Sequence, residues 1–125
     1  MSKGASCTRT LAHYRAEGYT VWKVEYWCSF SRKRKDFLGF IDVIAFNDEE
    51  IVGVQDTTWP QTSARRRKIL ASPLAYDWLQ CSNRRIEIIG HKKPDKEKGR
   101  HRWEHKIIEV TLEDFVNGRP SEDST

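Results

Sequence analysis

Paired cysteines are missing from this sequence: Cys7, Cys28 and Cys81 are odd in number, widely spaced, and form no C-x-x-C. That excludes a zinc ribbon or a thioredoxin-like redox motif, each of which needs two thiols close together, and it predicts reduced thiols in a cytosolic protein. His101 and His105 are four residues apart, but i,i+4 ligation works only on a helix, and their neighbours read as strand. A structural zinc site is not expected. Long apolar runs are missing too. The opening residues, MSKGASCTRTL, lack the apolar stretch of a signal peptide, and no window is long and apolar enough to span a bilayer. A soluble, cytoplasmic chain with no membrane partner is expected. Neither sign of charge dominates: 22 Lys and Arg face 18 Asp and Glu, so the placement of charge matters more than the net +4.

What is present is the composition of a folded chain, with 38% hydrophobic residues and 11% aromatic, five Trp among them. At 125 residues there is room for one core and no second independent domain. We expect a single domain over residues 1–118 and a disordered tail over 119–125, RPSEDST.

Thr8 or Thr10 can cap a first helix with Leu11 and Tyr14 on one face and Gly18 as its stop. From Tyr19 to Trp27, Val21, Lys23 and Glu25 alternate with Trp22, Val24 and Tyr26, the period of a strand. SFSRKRKD then breaks the alternation as a solvated loop, the most basic in the chain. FLGFIDVIAF is a near-continuous apolar run, the pattern of a strand covered on both faces, interrupted by Asp42. Asn47 to Glu50 make a turn into IVGVQDTT, giving an antiparallel hairpin whose two strands should form the centre of the sheet. QTSARRRKILASPLAYDWLQC is helical in period with Ile69 and Leu70 inward, and Ser72-Pro73 splits it. RRIEIIGH and RWEHKIIEVTL are further strands across a charged turn, and LEDFVNG closes the domain as a helical turn. Helix, three strands, helix, strand, strand predicts an α/β fold with a mixed central sheet flanked by helices and at least one crossover.

Burying a charged, unpaired carboxylate costs several kcal/mol, so Asp42 between Ile41 and Val43 needs an explanation. One explanation is that it ends a strand and caps a backbone donor. The other is chemical. A hairpin turning at 47–50 brings Asp42 near register with Gln55, and a period of two puts Thr57 on the face of Gln55 while Asp56 points away.

An Asp in the second strand and a polar pair separated by one residue in the third resemble the PD-(D/E)XK nuclease superfamily, over Thr8 to Ile89. The small Holliday-junction-resolvase-like and VRR-NUC-like groups are the nearest in kind, and GFIDVIAF with IVGVQDTT looks like short phage and prophage proteins of this type. The resemblance implies a restriction-endonuclease-like αβββαβ core. It also implies carboxylates that bind a divalent metal, Mg²⁺ or Mn²⁺, and a Lys that orients the attacking water. Carried over by position, Asp42 is the motif Asp, Gln55 stands at the acidic position, Asp56 lends a backbone carbonyl, and Thr57 stands at the Lys position. Gln55 offers an oxygen but no charge, and Thr57 cannot supply the cation that a phosphoryl transition state calls for. Glu25 or Asp36 would have to supply the second carboxylate and Lys23 the base. Each has a plainer reading: Lys23 and Glu25 as a surface pair worth under about 1 kcal/mol, Asp36 as a turn cap.

Basic residues flank the motif. Arg32, Lys33, Arg34 and Lys35 precede Asp42, and Arg65, Arg66, Arg67 and Lys68 follow Thr57. Such groups bind nucleic-acid backbones without regard to sequence, and Trp59 can stack on an unpaired base. The sequence thus predicts a metal-dependent DNA endonuclease or resolvase-like phosphodiesterase with a variant site. The alternatives are an inactive nuclease-fold protein that binds DNA, and one that docks on a host protein. Resolvase-like relatives imply a homodimer.

Overall fold

The structure, a computed structural model, describes residues 3–121. Apolar residues alternating along five segments build one mixed sheet: β1 (Thr20–Lys23), β4 (Val43–Phe46), β5 (Ile51–Thr58), β6 (Arg84–Lys92) and β7 (Glu104–Val110), in the order β1-β4-β5-β6-β7. β5 and β6 run parallel, and every other neighbouring pair is antiparallel. A parallel pair needs a crossover, and α2 (Thr62–Leu70) with α3 (Pro73–Trp78) supplies it. The break expected at Ser72-Pro73 is there: Ser72 Oγ accepts from the Ala75 N–H at 3.3 Å, and Pro73 opens α3, where no N–H is needed.

Helices cover both faces of the sheet, which explains why β5 and β6 read as runs of Val and Ile. On one face α1 (Lys3–Ala16) lays Cys7 and Tyr14 over Val43, Val52, Val54 and Ile89. On the other, Ile69, Ala75 and Leu79 from the crossover pack on Phe40, Ile41, Ile86 and Ile88. At the N-terminal end of β6, Arg85 draws together three carboxylates, pairing with Glu50 at 2.9 Å, Glu109 at 3.1 Å and Glu87. Glu87 also accepts from the buried Tyr14 hydroxyl at 2.5 Å, and burial together with that bond pushes the phenol well above its ordinary pKa. No helix of the described residues is long and apolar enough to cross a membrane.

The expected elements change in four places. α1 starts before Thr8, so Thr10 is no cap: it lies buried inside the helix with its hydroxyl on Asp56 and His91. The strand expected from Tyr19 to Trp27 breaks after Lys23, because Val24 N and Glu25 N both turn to the Asp42 carbonyl, at 2.9 and 3.3 Å. The chain then leaves the sheet as β2 (Tyr26–Cys28), paired antiparallel with β3 (Lys33–Lys35). Three residues of the expected basic loop, Lys33 to Lys35, are therefore strand, since a two-stranded ribbon can leave side chains such as Lys33 and Lys35 in water. FLGFIDVIAF is strand only from Val43. Leu38 at φ 57 and Gly39 at φ 84 turn the chain, and its apolar character reflects the burial of Phe40 and Ile41 beneath that turn. Of the tail expected to be disordered, Arg119 donates twice to the Asp77 carboxylate at 2.9 Å, and residues 122–125 lie outside the described residues.

Gly90 sits where the crossover meets the sheet. A Cβ there would lie 2.3 Å from Thr62 Cγ2, 3.1 Å from Trp59 Cα and 3.2 Å from the Thr58 carbonyl oxygen, two of which are backbone. Gly90→Ala is expected to lower stability by about 1–3 kcal/mol, read as a lower urea midpoint at unchanged slope.

Candidate metal centre

The β4–β5 register pairs Val43 with Val54, and it continues one residue outward: Asp42 N donates to the Val54 carbonyl at 2.8 Å, which puts Asp42 opposite Gln55. Asp42 Oδ2 accepts from Gln55 Nε2 at 2.9 Å and from the Asp56 N–H at 2.8 Å. Glu25 arrives at the same point because its N–H donates to the Asp42 carbonyl, and Asp36 arrives as the first residue after β3. One carboxylate oxygen from each of Glu25, Asp36 and Asp42 lies within 4.8 Å of the others.

Like charges this close, on a residue only 6% exposed, disfavour ionisation. The Asp42 carboxyl is pushed up to about 8, first by burial, then by its hydrogen bond with Asp36 and that neighbour's charge, with the Asp56 N–H opposing and Glu25 adding. Asp42 thus holds a proton near neutral pH that a cation would displace. Gln55 is 2% exposed, and its Oε1 is buried with no hydrogen-bond partner while its own amide nitrogen serves Asp42. Three converging carboxylates, with a buried amide carbonyl on the neighbouring Gln55 still unsatisfied, offer oxygen donors of the kind that hard divalent cations take. The residues fit such an ion.

The other expected site residues divide. Lys23 Nζ lies 4.0 Å from Glu25 Oε1, so the one brings positive charge to the edge of the cluster. Thr57, buried on the Gln55 face, accepts from Arg65 Nε at 3.4 Å, so an arginine stands beside it. The Asp56 side chain points to the opposite face, as the strand period requires, where its Oδ1 accepts from Thr10 Oγ1 at 3.0 Å and lies 3.2 Å from His91 Nε2. Its carboxylate does not join the cluster; its N–H does.

The basic residues are less uniform than their runs suggest. Arg66 pairs with Asp114 at 3.1 Å and Arg65 faces Thr57, which leaves Arg67 and Lys68 exposed on α2. Arg32, at φ 58, Lys33 and Lys35 are exposed on the β2–β3 hairpin, and Arg34 pairs by backbone with Trp27. Trp59 is half-buried and covered: Lys92 Nζ and Lys106 Nζ lie 4.6 and 5.0 Å from its ring centroid. Trp27 and Phe30, 56% and 97% exposed on the hairpin, are open aromatics that the sequence reading passed over. His91 was also passed over, although its place in a strand three residues after the apolar Ile88 carried no signal until the parallel register set it beside Asp56.

No family model matches this chain, and no curated protein or solved structure matches it.

A folded-state pKa above the unfolded value means that the folded chain holds the extra proton, so stability falls as pH rises through that interval. Asp42→Asn removes the penalty. Its melting temperature relative to the parent should rise from about pH 5 and level off above about pH 8, in chelator, by several degrees in total. A constant difference across that range would show that Asp42 does not titrate there.

Proposed function

We propose that this chain is a divalent-metal-dependent phosphodiesterase acting on DNA, with a variant PD-(D/E)XK site. The observation that carries the proposal is the meeting of Glu25, Asp36 and Asp42, with Gln55 hydrogen-bonded to Asp42 through Nε2 and its own Oε1 unsatisfied. Counting the β2–β3 hairpin as an insertion, the chain runs α1, β1, β4, β5, the crossover helices, β6, which supports a restriction-endonuclease-like αβββαβ core. The charge missing at Gln55 and Thr57 is restored in space: Glu25 and Asp36 supply the carboxylates, Lys23 and Arg65 the cations.

In this reading Asp42, Glu25 and Asp36 hold Mg²⁺ or Mn²⁺, with Gln55 Oε1 as a neutral fourth donor. The bound ion would polarise the scissile phosphate and acidify a water. Gln55 Nε2 and the Asp56 N–H fix the Asp42 carboxylate so that it need not reorganise on loading. Lys23, beside Glu25, is placed to stabilise charge growing on a phosphoryl oxygen. Arg32, Lys33 and Lys35 on the hairpin, with Arg67 and Lys68 on α2, offer the backbone contacts that bring a polyanion to the cluster.

Incubation with plasmid, linear and branched DNA in Mg²⁺ or Mn²⁺ tests the activity. Cleavage is expected to be lost in Asp42→Ala and reduced at least about tenfold in Glu25→Gln and Asp36→Asn, since each removes a charged ligand. Cleavage that Asp42→Ala leaves intact sinks the assignment. Because Asp42 gives up its proton on loading, the rise in melting temperature caused by Mn²⁺ should be larger at about pH 9 than at about pH 6, and absent in Asp42→Asn.

A second reading, a protein that keeps the fold and binds DNA without cutting it, is favoured by the neutral side chains of Gln55 and Thr57. It predicts DNA affinity unchanged by Asp42→Ala. In either reading Lys33→Ala with Lys35→Ala should weaken DNA binding and lower its salt slope by about two, whereas Arg66→Ala, which loses an internal ion pair, should do so far less.

A further inference from the structure

At the C-terminal ends of β5 and β6 lies a site that the metal centre does not use. A cavity of about 720 Å³ opens between Thr58 and Pro60 and the segment carrying Lys92, Lys93, Arg100 and Trp103. That volume is within the range of pockets that enclose small molecules. Its charge is cationic. Lys92, Lys93 and Arg100 line it against one acid, Asp95, whose Oδ2 is 3.8 Å from Arg100 Nη2. The Arg100 side chain is 27% exposed, so part of it stays open to an anionic oxygen.

The cavity also has a flat apolar wall. Trp103 is 42% exposed, and the Arg9 guanidinium carbon, 3.3 Å from its ring centroid, fixes the indole plane. Arg9 and Trp103 also line an adjoining cavity of about 310 Å³. Lysine and arginine cations next to a half-exposed indole suit a ligand with an anion and a planar ring. A nucleotide has both. Free phosphate or an acidic peptide would use the cations and leave the indole without a partner.

The cavity is linked to the carboxylate cluster through two residues, His91 and Asp56. His91, 5% exposed, lines it, and its Nε2 lies 2.8 Å from Thr10 Oγ1 and 3.2 Å from Asp56 Oδ1, while the Asp56 N–H donates to Asp42. Gln55 and Thr58 are about 10 Å apart along β5 on opposite faces, so a nucleic-acid strand that reaches both passes over the C-terminal edge of the sheet.

We infer that this cavity is a nucleotide subsite that takes an unpaired base against Trp103 and its phosphate on Lys93 and Arg100. The inference rests on the preceding reading for the identity of the polymer and narrows it: the DNA acted on has a single-stranded or frayed segment next to the bond that faces the carboxylates. A free mononucleotide offers the same chemistry, so the test separates the two sources.

The full chain, in EDTA, is titrated calorimetrically with adenosine 5′-monophosphate, inorganic phosphate, a short single-stranded oligodeoxynucleotide and a blunt duplex of equal length. The mononucleotide should bind at least about tenfold more tightly than phosphate, and the single strand more tightly than both the mononucleotide and the duplex. Trp103→Ala and Arg100→Ala should each weaken the single strand about tenfold, and Lys93→Ala, at an exposed side chain, tests the phosphate contact without disturbing the packing. Trp22→Ala, at an exposed tryptophan of β1, should change nothing. A mononucleotide no tighter than phosphate, or affinities untouched by the Trp103, Arg100 and Lys93 substitutions, overturns the subsite. A mononucleotide as tight as the single strand overturns its assignment to a strand. Asp42→Ala should keep the nucleotide affinity in EDTA, so cleavage without nucleotide binding sinks the subsite alone, and nucleotide binding without cleavage sinks the phosphodiesterase alone.

Discussion

Asp42 Oδ2 accepts from the Gln55 amide and the Asp56 N–H at the point where two other carboxylates converge, and the layout of this domain follows from that contact. Three carboxyls crowded together resist burial, and fixed donors with the proton held by Asp42 ease the crowding. At the N-terminal end of β6 the same fold gathers Glu50, Glu87 and Glu109 around the Arg85 guanidinium, so that one central cation offsets part of their charge. Around Asp42, burial and Asp36 dominate, and the nearby cation, Lys23, lies 4.0 Å from Glu25. One acidic cluster is built around a cation; the other meets one at its edge, which is the physical basis for reading it as a site.

β5 connects the chemistry of the two faces. Gln55 and Thr57 face the crossover, Asp56 faces α1, and the backbone of Asp56 belongs to one neighbourhood while its side chain belongs to the other. Thr10, at first sight a helix cap, is the α1 residue that locks this side chain in place, with His91 from the parallel neighbour. A carboxylate flanked by a hydroxyl and an imidazole is well oriented, so the N–H that it carries is held toward Asp42 with little freedom.

Much of this was legible in the sequence because period-two alternation and turn chemistry are local. β5, β6, the split crossover and the Asp42–Gln55 register all follow from residues close together in the chain. The failures came where local pattern and tertiary context diverge. Phe37 to Ile41 looked like strand because burial makes any segment apolar, and the turn at Leu38 and Gly39 has no strong signature besides its glycine. The Arg32–Lys35 run looked like loop because a ribbon solvated on both faces loses the alternation that marks strands. Glu25 and Asp36 were readable as candidates but not as partners, since their proximity depends on the hairpin between them. Trp103 and Arg9, far apart in sequence, could be paired only by the fold.

That hairpin is anchored in an unusual way. Residues 26–35 leave the sheet and return to it, and the residues just outside, Glu25 and Asp36, carry two of the three crowded carboxylates. The ribbon's tip, with Phe30 almost fully exposed, therefore stands on two acidic residues of the site. Whatever occupies the cluster sits between the two legs of that arm, so the root of the ribbon and the wall of the site are the same residues.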